Sequence, residues 1–203
     1  MRRRPKSIAS ARLRHHFYNM EARDGDTMVQ RFWREVAMAA LAHIAVGFAS
    51  KPLGKGVPVG ILVGVTVFLD LLAMVFSYVG LEANGSISWS HGLLMSLVWS
   101  AAMFVLFALV YRSYRIGLVV GLLVFSHWVI DFITHPMGAV FGGHPLPPDM
   151  PLLLDGSRKV GLGLYNSSIV GAYVIEFASL AIGLAVYVAY TVRAKRRKES
   201  SGA

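Results

Sequence analysis

Apolar residues run almost unbroken through four long stretches of the chain, and this pattern predicts helices that cross a membrane. A helix needs about 20 consecutive apolar residues to span a hydrocarbon core. The four stretches cover approximately residues 57–80, 91–111, 116–135 and 167–192. A fifth apolar stretch, residues 35–50, is borderline in length, and we predict that it forms a short helix that spans the membrane incompletely.

The polar segments between these stretches define the predicted domain organisation. The linkers are short except for residues 136–166, whose Gly and Pro content predicts an irregular loop. We therefore predict an all-α fold, an integral membrane bundle of four to five transmembrane helices in one domain over residues 35–192. Residues 1–34 are predicted to form a basic arm, either disordered or at the interface, and residues 193–203 a basic cytoplasmic tail.

Composition supports the membrane class and excludes thiol chemistry. The 203 residues are 55% hydrophobic and only 15% charged, and the mean hydropathy of +0.55 is high for a soluble domain. There is no cysteine. Disulfides and thiolate metal sites are therefore excluded.

The formal net charge of +9 is concentrated at the chain ends and in short loops. Lys51, Lys55, Arg112, Arg115 and the basic segment 193–198 fall on one side if the last four stretches all cross. Such loops face the cytoplasm, so we predict a multi-pass protein of the cytoplasmic (inner) membrane with a cytoplasmic C-terminus. The basic ends suit anionic lipids. No basic segment interleaved with aromatic residues supports nucleic-acid binding.

Several ionisable residues interrupt the apolar stretches. A charge at the bilayer centre costs about 2.5–3.5 kcal/mol on insertion scales, and no Lys or Arg lies within the stretches to neutralise an acid. The acids are Asp70, Asp131 and Glu176, and the accompanying histidines are His43, His91, His127 and His135. A shared metal ion would compensate them, because carboxylate and imidazole groups become ligands.

The positions of these groups predict one site in the outer half of the bundle. His127, Asp131 and His135 are spaced four residues apart and so share one helix face. Asp70 and His91 lie at the outer ends of adjacent predicted helices. We therefore predict a metal or proton-relay site that opens towards the outer face.

Five sequence motifs resemble those of a bacterial and archaeal family of small proteins described as membrane-bound metal-dependent hydrolases. The motifs are HIAVGFASK (43–51), FLDLL (68–72), WSHGLLMSLVW (89–99), SHWVIDFITH (126–135) and KVGLGLYNS (159–167). The family is distantly similar to the zinc-dependent phospholipase C superfamily. The resemblance implies that five residues ligate metal: His43, Asp70, His91, His127 and Asp131. It also implies that His135 and Glu176 are further ligands or hydrogen-bond to ligands.

A metal-dependent hydrolase is the function that these observations predict. A site of histidines and carboxylates without cysteine suits zinc, with manganese as the alternative. The ion would lower the pKa of bound water, and Asp70 or Asp131 would act as general base. Since the site is predicted to open into the outer headgroup region, the expected substrate is an amphiphilic or lipid-linked phosphoester or other ester.

Two other functions fit the same residues. The groups could relay protons or ions in a small transporter, which would require a homo-oligomer because each chain has so few helices. Alternatively, the protein is not a catalyst and the metal is structural. A hydrolase keeps an open coordination position for water, whereas protein ligands saturate a structural site.

Overall fold

The computed structural model describes residues 40–82, 87–134, 140–141, 144–145, 151–154, 157–158, 160–166 and 168–201. These residues are helical apart from loops and one antiparallel pair of two-residue strands, which confirms the all-α class. They belong to one compact unit, Met38–Ala203. The predicted basic arm and His135 lie outside the described residues.

Seven α-helices are numbered here in chain order over the described residues. They are α1 (Ala40–Ala49), α2 (Val59–Thr66), α3 (Phe68–Tyr78), α4 (Ser88–His91), α5 (Leu93–Val110), α6 (Tyr114–Thr134) and α7 (Ile169–Ser201). The strands β1 (Val140–Phe141) and β2 (His144–Pro145) pair with each other, and a 3₁₀ turn, Leu164–Asn166, precedes α7.

Three helices, α5, α6 and α7, are long and apolar enough to cross a membrane. Helices α2 and α3 make a fourth span only if they count as one, because the chain bends by 53° between them. Helix α1 is shorter, as its sequence predicts. The predicted four to five spans are therefore not confirmed, and the choice of membrane and the orientation remain predictions.

Helix α6 is the interior element of the described bundle. In its most apolar segment 44% of the residues are buried, against 11% in α5 and 17% in α7. Helices α5 and α7 therefore direct large apolar side chains outward, among them Leu109 and Val170. Apolar surface of this extent suits a hydrocarbon environment, because it would be costly to expose to water.

Two glycines of α6 contact α5 where a side chain would have little room. A Cβ atom on Gly117 would lie 2.5 Å from the carbonyl oxygen of Phe104 and 2.7 Å from the Cβ of Ala108. A Cβ on Gly121 would lie 3.0 Å from the carbonyl oxygen of Ser100. Small residues spaced four apart bring membrane helices together in this way.

The stretch predicted as one helix over residues 91–111 is broken at Gly92. Gly92 has an extended conformation (φ −59°, ψ 142°) and separates α4 from α5. The first two N–H groups of α5 donate to the carbonyls of Pro151 and Leu152, which satisfies donors that lack intrahelical partners. The break places His91 at the end of α4 rather than on the axis of α5.

Helix α7 continues to Ser201, past its expected end at residue 192. The segment predicted as a basic tail is rich in Ala, Arg, Lys and Glu, which favour helix. Lys195 and Glu199 form an ion pair of 3.9 Å one helical turn apart, which adds a small stabilisation.

Replacing Gly117 with alanine should separate α5 from α6. Because the new Cβ has no room, we expect a loss of about 1–3 kcal/mol in the free energy of unfolding. Gly64→Ala is the matched control, since a Cβ at Gly64 meets nothing within 4 Å. Unfolding in detergent, followed by circular dichroism, measures both variants. Equal stability of the two variants would contradict the close packing of α5 on α6.

Candidate metal centre

Helix α6 provides two of the clustered groups from one face. His127 and Asp131 are four residues apart, and both are buried, with 1% and 5% of their surface exposed. The Nε2 atom of His127 lies 3.2 Å from Oδ2 of Asp131. The inward stripe predicted from the sequence is therefore present at these two positions.

Asp70 and His91 bring two further ligand atoms to the same point. Nε2 of His91 lies 3.2 Å from Nε2 of His127 and 3.7 Å from Oδ2 of Asp131. Oδ1 of Asp70 lies 3.4 Å from the His91 nitrogen and 3.5 Å from the His127 nitrogen. Side chains from α3, α4 and α6 thus converge, as the sequence analysis predicted.

The hydrogen bond of His127 determines which of its nitrogens carries the proton. Nδ1 of His127 lies 2.7 Å from the carbonyl oxygen of Thr66. A carbonyl only accepts, so Nδ1–H must donate to it. In the neutral imidazole, Nε2 then keeps its lone pair and directs it at the cluster.

A serine and a glutamate give His91 the same tautomer. Nδ1 of His91 lies 2.8 Å from Oγ of Ser90. The Ser90 hydroxyl lies 3.0 Å from Oε2 of Glu82, and the Ser90 backbone N–H donates to Oε1 of Glu82 over 2.6 Å. Because the carboxylate only accepts, the hydroxyl proton is directed at Glu82 and Oγ accepts from His91. His91 Nε2 therefore also presents a lone pair.

When both imidazoles are neutral, four electron-pair donors face one another with no hydrogen between them. They are two imidazole nitrogens and two carboxylate oxygens. Such atoms repel at 3.2–3.7 Å unless a metal ion or a proton lies among them. The buried His and Asp groups could hold a metal ion.

His43 joins the cluster from α1 and contacts Asp131. Its Nε2 lies 3.2 Å from Oδ1 of Asp131, and its ring stacks on that of His127 with centroids 3.9 Å apart. Two overlapping groups could each hold an ion, His43–His127–Asp131 and Asp70–His91–His127. Nδ1 of His43 is buried and has no hydrogen-bond partner among the described residues. A proton on Nε2, donated to Asp131, leaves only a lone pair at this buried position.

Among the described side chains of the cluster, Asp70 is the exposed one. The Asp70 side chain is 42% exposed, whereas the His91 side chain is 9% exposed and the His127 side chain 1%. The cluster is therefore most exposed beside Asp70.

Glu176 is buried but belongs to neither group of potential ligands. Its Oε2 accepts from the backbone N–H of Ala42 over 2.7 Å, and its Oε1 accepts from the hydroxyl of Tyr165. Burial and the neighbouring carboxylate raise the pKa of Tyr165, so its hydroxyl remains a donor. Glu176 thus ties α7 to the backbone of α1, one residue before His43.

The sequence analysis missed the residues that orient the histidines. Glu82 is the only charged residue between positions 79 and 90, and an isolated acid so close to His91 was a usable signal. Ser90 precedes His91 directly. Thr66 contributes only its backbone carbonyl, which no side-chain pattern can indicate.

Purified protein should contain a divalent metal ion whose binding requires His127 and Asp131 of α6. We expect stoichiometric metal by elemental analysis in the wild type and its loss in His127→Ala and Asp131→Ala. Ser126→Ala is the control, because the Ser126 hydroxyl donates to the carbonyl of Leu123 within α6. Metal-free wild type that also fails to take up added zinc or manganese would contradict the site.

Glu176→Gln should retain the metal but destabilise the fold. The amide has one acceptor oxygen in place of two, so the acceptor of either the Ala42 N–H or the Tyr165 hydroxyl is replaced by an NH2 group, and we expect a loss of about 1–3 kcal/mol in the free energy of unfolding. Elemental analysis and detergent unfolding of the same sample give both quantities. Loss of metal without loss of stability would instead identify Glu176 as a ligand.

Comparison of the chain with protein-family models, curated proteins and solved structures finds no match. The resemblance to membrane-bound metal-dependent hydrolases therefore remains a prediction from sequence motifs. The case for a metal site depends on the geometry of the cluster itself.

Proposed function

We propose that the protein is a membrane-embedded metal-dependent hydrolase that acts on a phosphoester or other ester at the membrane interface. The observation that carries the proposal is the convergence of four ligand atoms that is buried except beside Asp70. An ion that is held firmly and reached from one side is the arrangement that metal-assisted hydrolysis needs.

The donor set and its spacing support zinc as the ion. Around a tetrahedral zinc with bonds of about 2.0–2.1 Å, neighbouring ligand atoms are about 3.3 Å apart. The three separations among Nε2 of His91, Nε2 of His127 and Oδ2 of Asp131 range from 3.2 to 3.7 Å. Manganese accepts the same nitrogen and oxygen ligands and is the second choice.

In this proposal the ion is held by His91, His127 and Asp131. Asp70 accepts the proton of the attacking water. The bound ion supplies Lewis acidity and lowers the pKa of water. Asp70 lies on the exposed side, where its carboxylate can take a proton from the attacking water. Asp131 is kept in place by His43, since Nε2 of His43 contacts its second oxygen.

The surface next to Asp70 supports an amphiphilic substrate. Leu71, Met74 and Val75 follow Asp70 on α3, and each is more than half exposed. In a bilayer these side chains would contact lipid chains, so an ester with an apolar tail could present its head to Asp70. A lipid-linked or otherwise amphiphilic ester is therefore the proposed substrate class.

A structural ion is the alternative that one observation favours. If Asp70 and Asp131 both bind the ion, four protein atoms fill a tetrahedral shell and leave no position for water. The role of Asp70 distinguishes the two proposals: it accepts a proton in a hydrolase and binds the ion in a structural site.

Hydrolysis by zinc-loaded protein in lipid nanodiscs tests the proposal. We expect activity on phosphoesters or esters that carry a long alkyl chain, and less on water-soluble compounds with the same reacting group. Asp70→Asn should retain the metal and lower kcat by about 10²–10⁴-fold. Ser126→Ala should behave as wild type.

Two results would count against hydrolysis. Zinc-loaded, folded wild type that cleaves no member of the panel would contradict the proposal. Loss of the metal itself in Asp70→Asn would favour the structural ion.

A further inference from the structure

We propose that Glu82 acts through Ser90 as a positioning residue, which holds the lone pair of His91 towards the ion. The inference rests on the proposed metal site, but the chain of hydrogen bonds that carries it is formed by the protein alone. Glu82 itself does not ligate the ion in this proposal.

The turn that ends α3 places Glu82 next to Ser90 of α4. Gly80 has a positive φ of 81°, and its N–H donates to the carbonyl of Ser77 while the N–H of Leu81 donates to that of Phe76. This pair of bonds is a Schellman motif, which ends a helix with glycine in the left-handed conformation. The reversal directs Glu82 inward, and only 4% of its surface is exposed.

Ser90 occupies both oxygens of the Glu82 carboxylate. Its N–H donates to Oε1 and its hydroxyl to Oε2, and Ser90 is fully buried. The carbonyl of Ile87 is the other acceptor near the hydroxyl, but at 3.5 Å it is more distant than the carboxylate at 3.0 Å. Nδ1 of His91 is nearer still, at 2.8 Å, but the carboxylate only accepts, so the hydroxyl proton is assigned to the bond with Glu82 and Nδ1–H donates to Oγ.

This arrangement determines whether Nε2 of His91 directs a lone pair or a proton at the cluster. With Oγ of Ser90 as acceptor, the His91 proton stays on Nδ1. Without that acceptor the proton can move to Nε2, where it would face His127 and Asp70 and occupy the place of an ion. Through these hydrogen bonds the negative charge of Glu82 polarises the Ser90 hydroxyl, which increases the electron density on the His91 imidazole.

A structural role alone would have a different consequence. If Glu82 only tied the loop to α4, Ser90→Ala would lower stability but leave the proton on Nδ1 of His91. The tautomer of His91 in metal-free protein therefore distinguishes positioning from support of the loop.

Long-range ¹⁵N–¹H NMR of the full chain in nanodiscs reads this tautomer, with His91 assigned by its loss in His91→Ala. We expect the proton on Nδ1 in metal-free wild type and a shift towards Nε2 in Ser90→Ala. Zinc affinity, measured by chelator competition, should fall about 10–100-fold in Ser90→Ala. Glu82→Gln removes the charge and should lower zinc affinity by a smaller factor.

Two further variants control for packing. Ser90→Thr keeps the hydroxyl and should restore both the tautomer and zinc affinity to near the wild-type values. Ser100→Ala removes a buried hydroxyl that donates to the carbonyl of Ser96 on α5, and it should leave both unchanged.

The outcomes separate this inference from the proposed function. An unchanged Nδ1 proton in folded Ser90→Ala would overturn the positioning role, even if zinc binds. Wild type that binds no zinc would contradict the metal site, and the tautomer would still decide whether Ser90 and Glu82 set the state of His91.

Discussion

The site depends on one constraint: when both imidazoles are neutral, two histidine nitrogens and two carboxylate oxygens direct their lone pairs at one another and repel. Nε2 of His91 and Nε2 of His127 are 3.2 Å apart, and each has its ring proton bonded on the far side. Each of two carboxylate oxygens, Oδ1 of Asp70 and Oδ2 of Asp131, lies within 3.7 Å of both nitrogens. In a buried environment such repulsion is little screened, so a metal ion or a proton must compensate it.

Interruptions in the helices make this convergence possible. The break at Val67 frees the carbonyl of Thr66 from intrahelical bonding, and it accepts from His127. The same bend starts α3, which carries Asp70. The break at Gly92 ends α4 at His91. Helix α6 is continuous and buried, so it provides the fixed reference for these groups.

Periodicity and hydropathy could predict the helical class and the face of α6, because His127 and Asp131 must share a face when they are four residues apart. The order of the apolar stretches placed Asp70, His91 and His43 towards the same side of the predicted bundle, so their convergence could also be predicted. Continuous apolar runs conceal the breaks at Val67 and Gly92, so hydropathy alone could not show that the chain bends by 53° between α2 and α3. Residue spacing also cannot indicate which carboxylates bond to backbone, as Glu176 does to Ala42.

The most direct test is X-ray absorption at the metal edge of protein purified in lipid and loaded with zinc. The arrangement of His91, His127 and Asp131 predicts nitrogen and oxygen ligands at about 2.0–2.1 Å, with the outer-shell scattering of two imidazole rings. A spectrum of water oxygens without imidazole scattering, or no bound zinc, would contradict a metal centre formed by these residues.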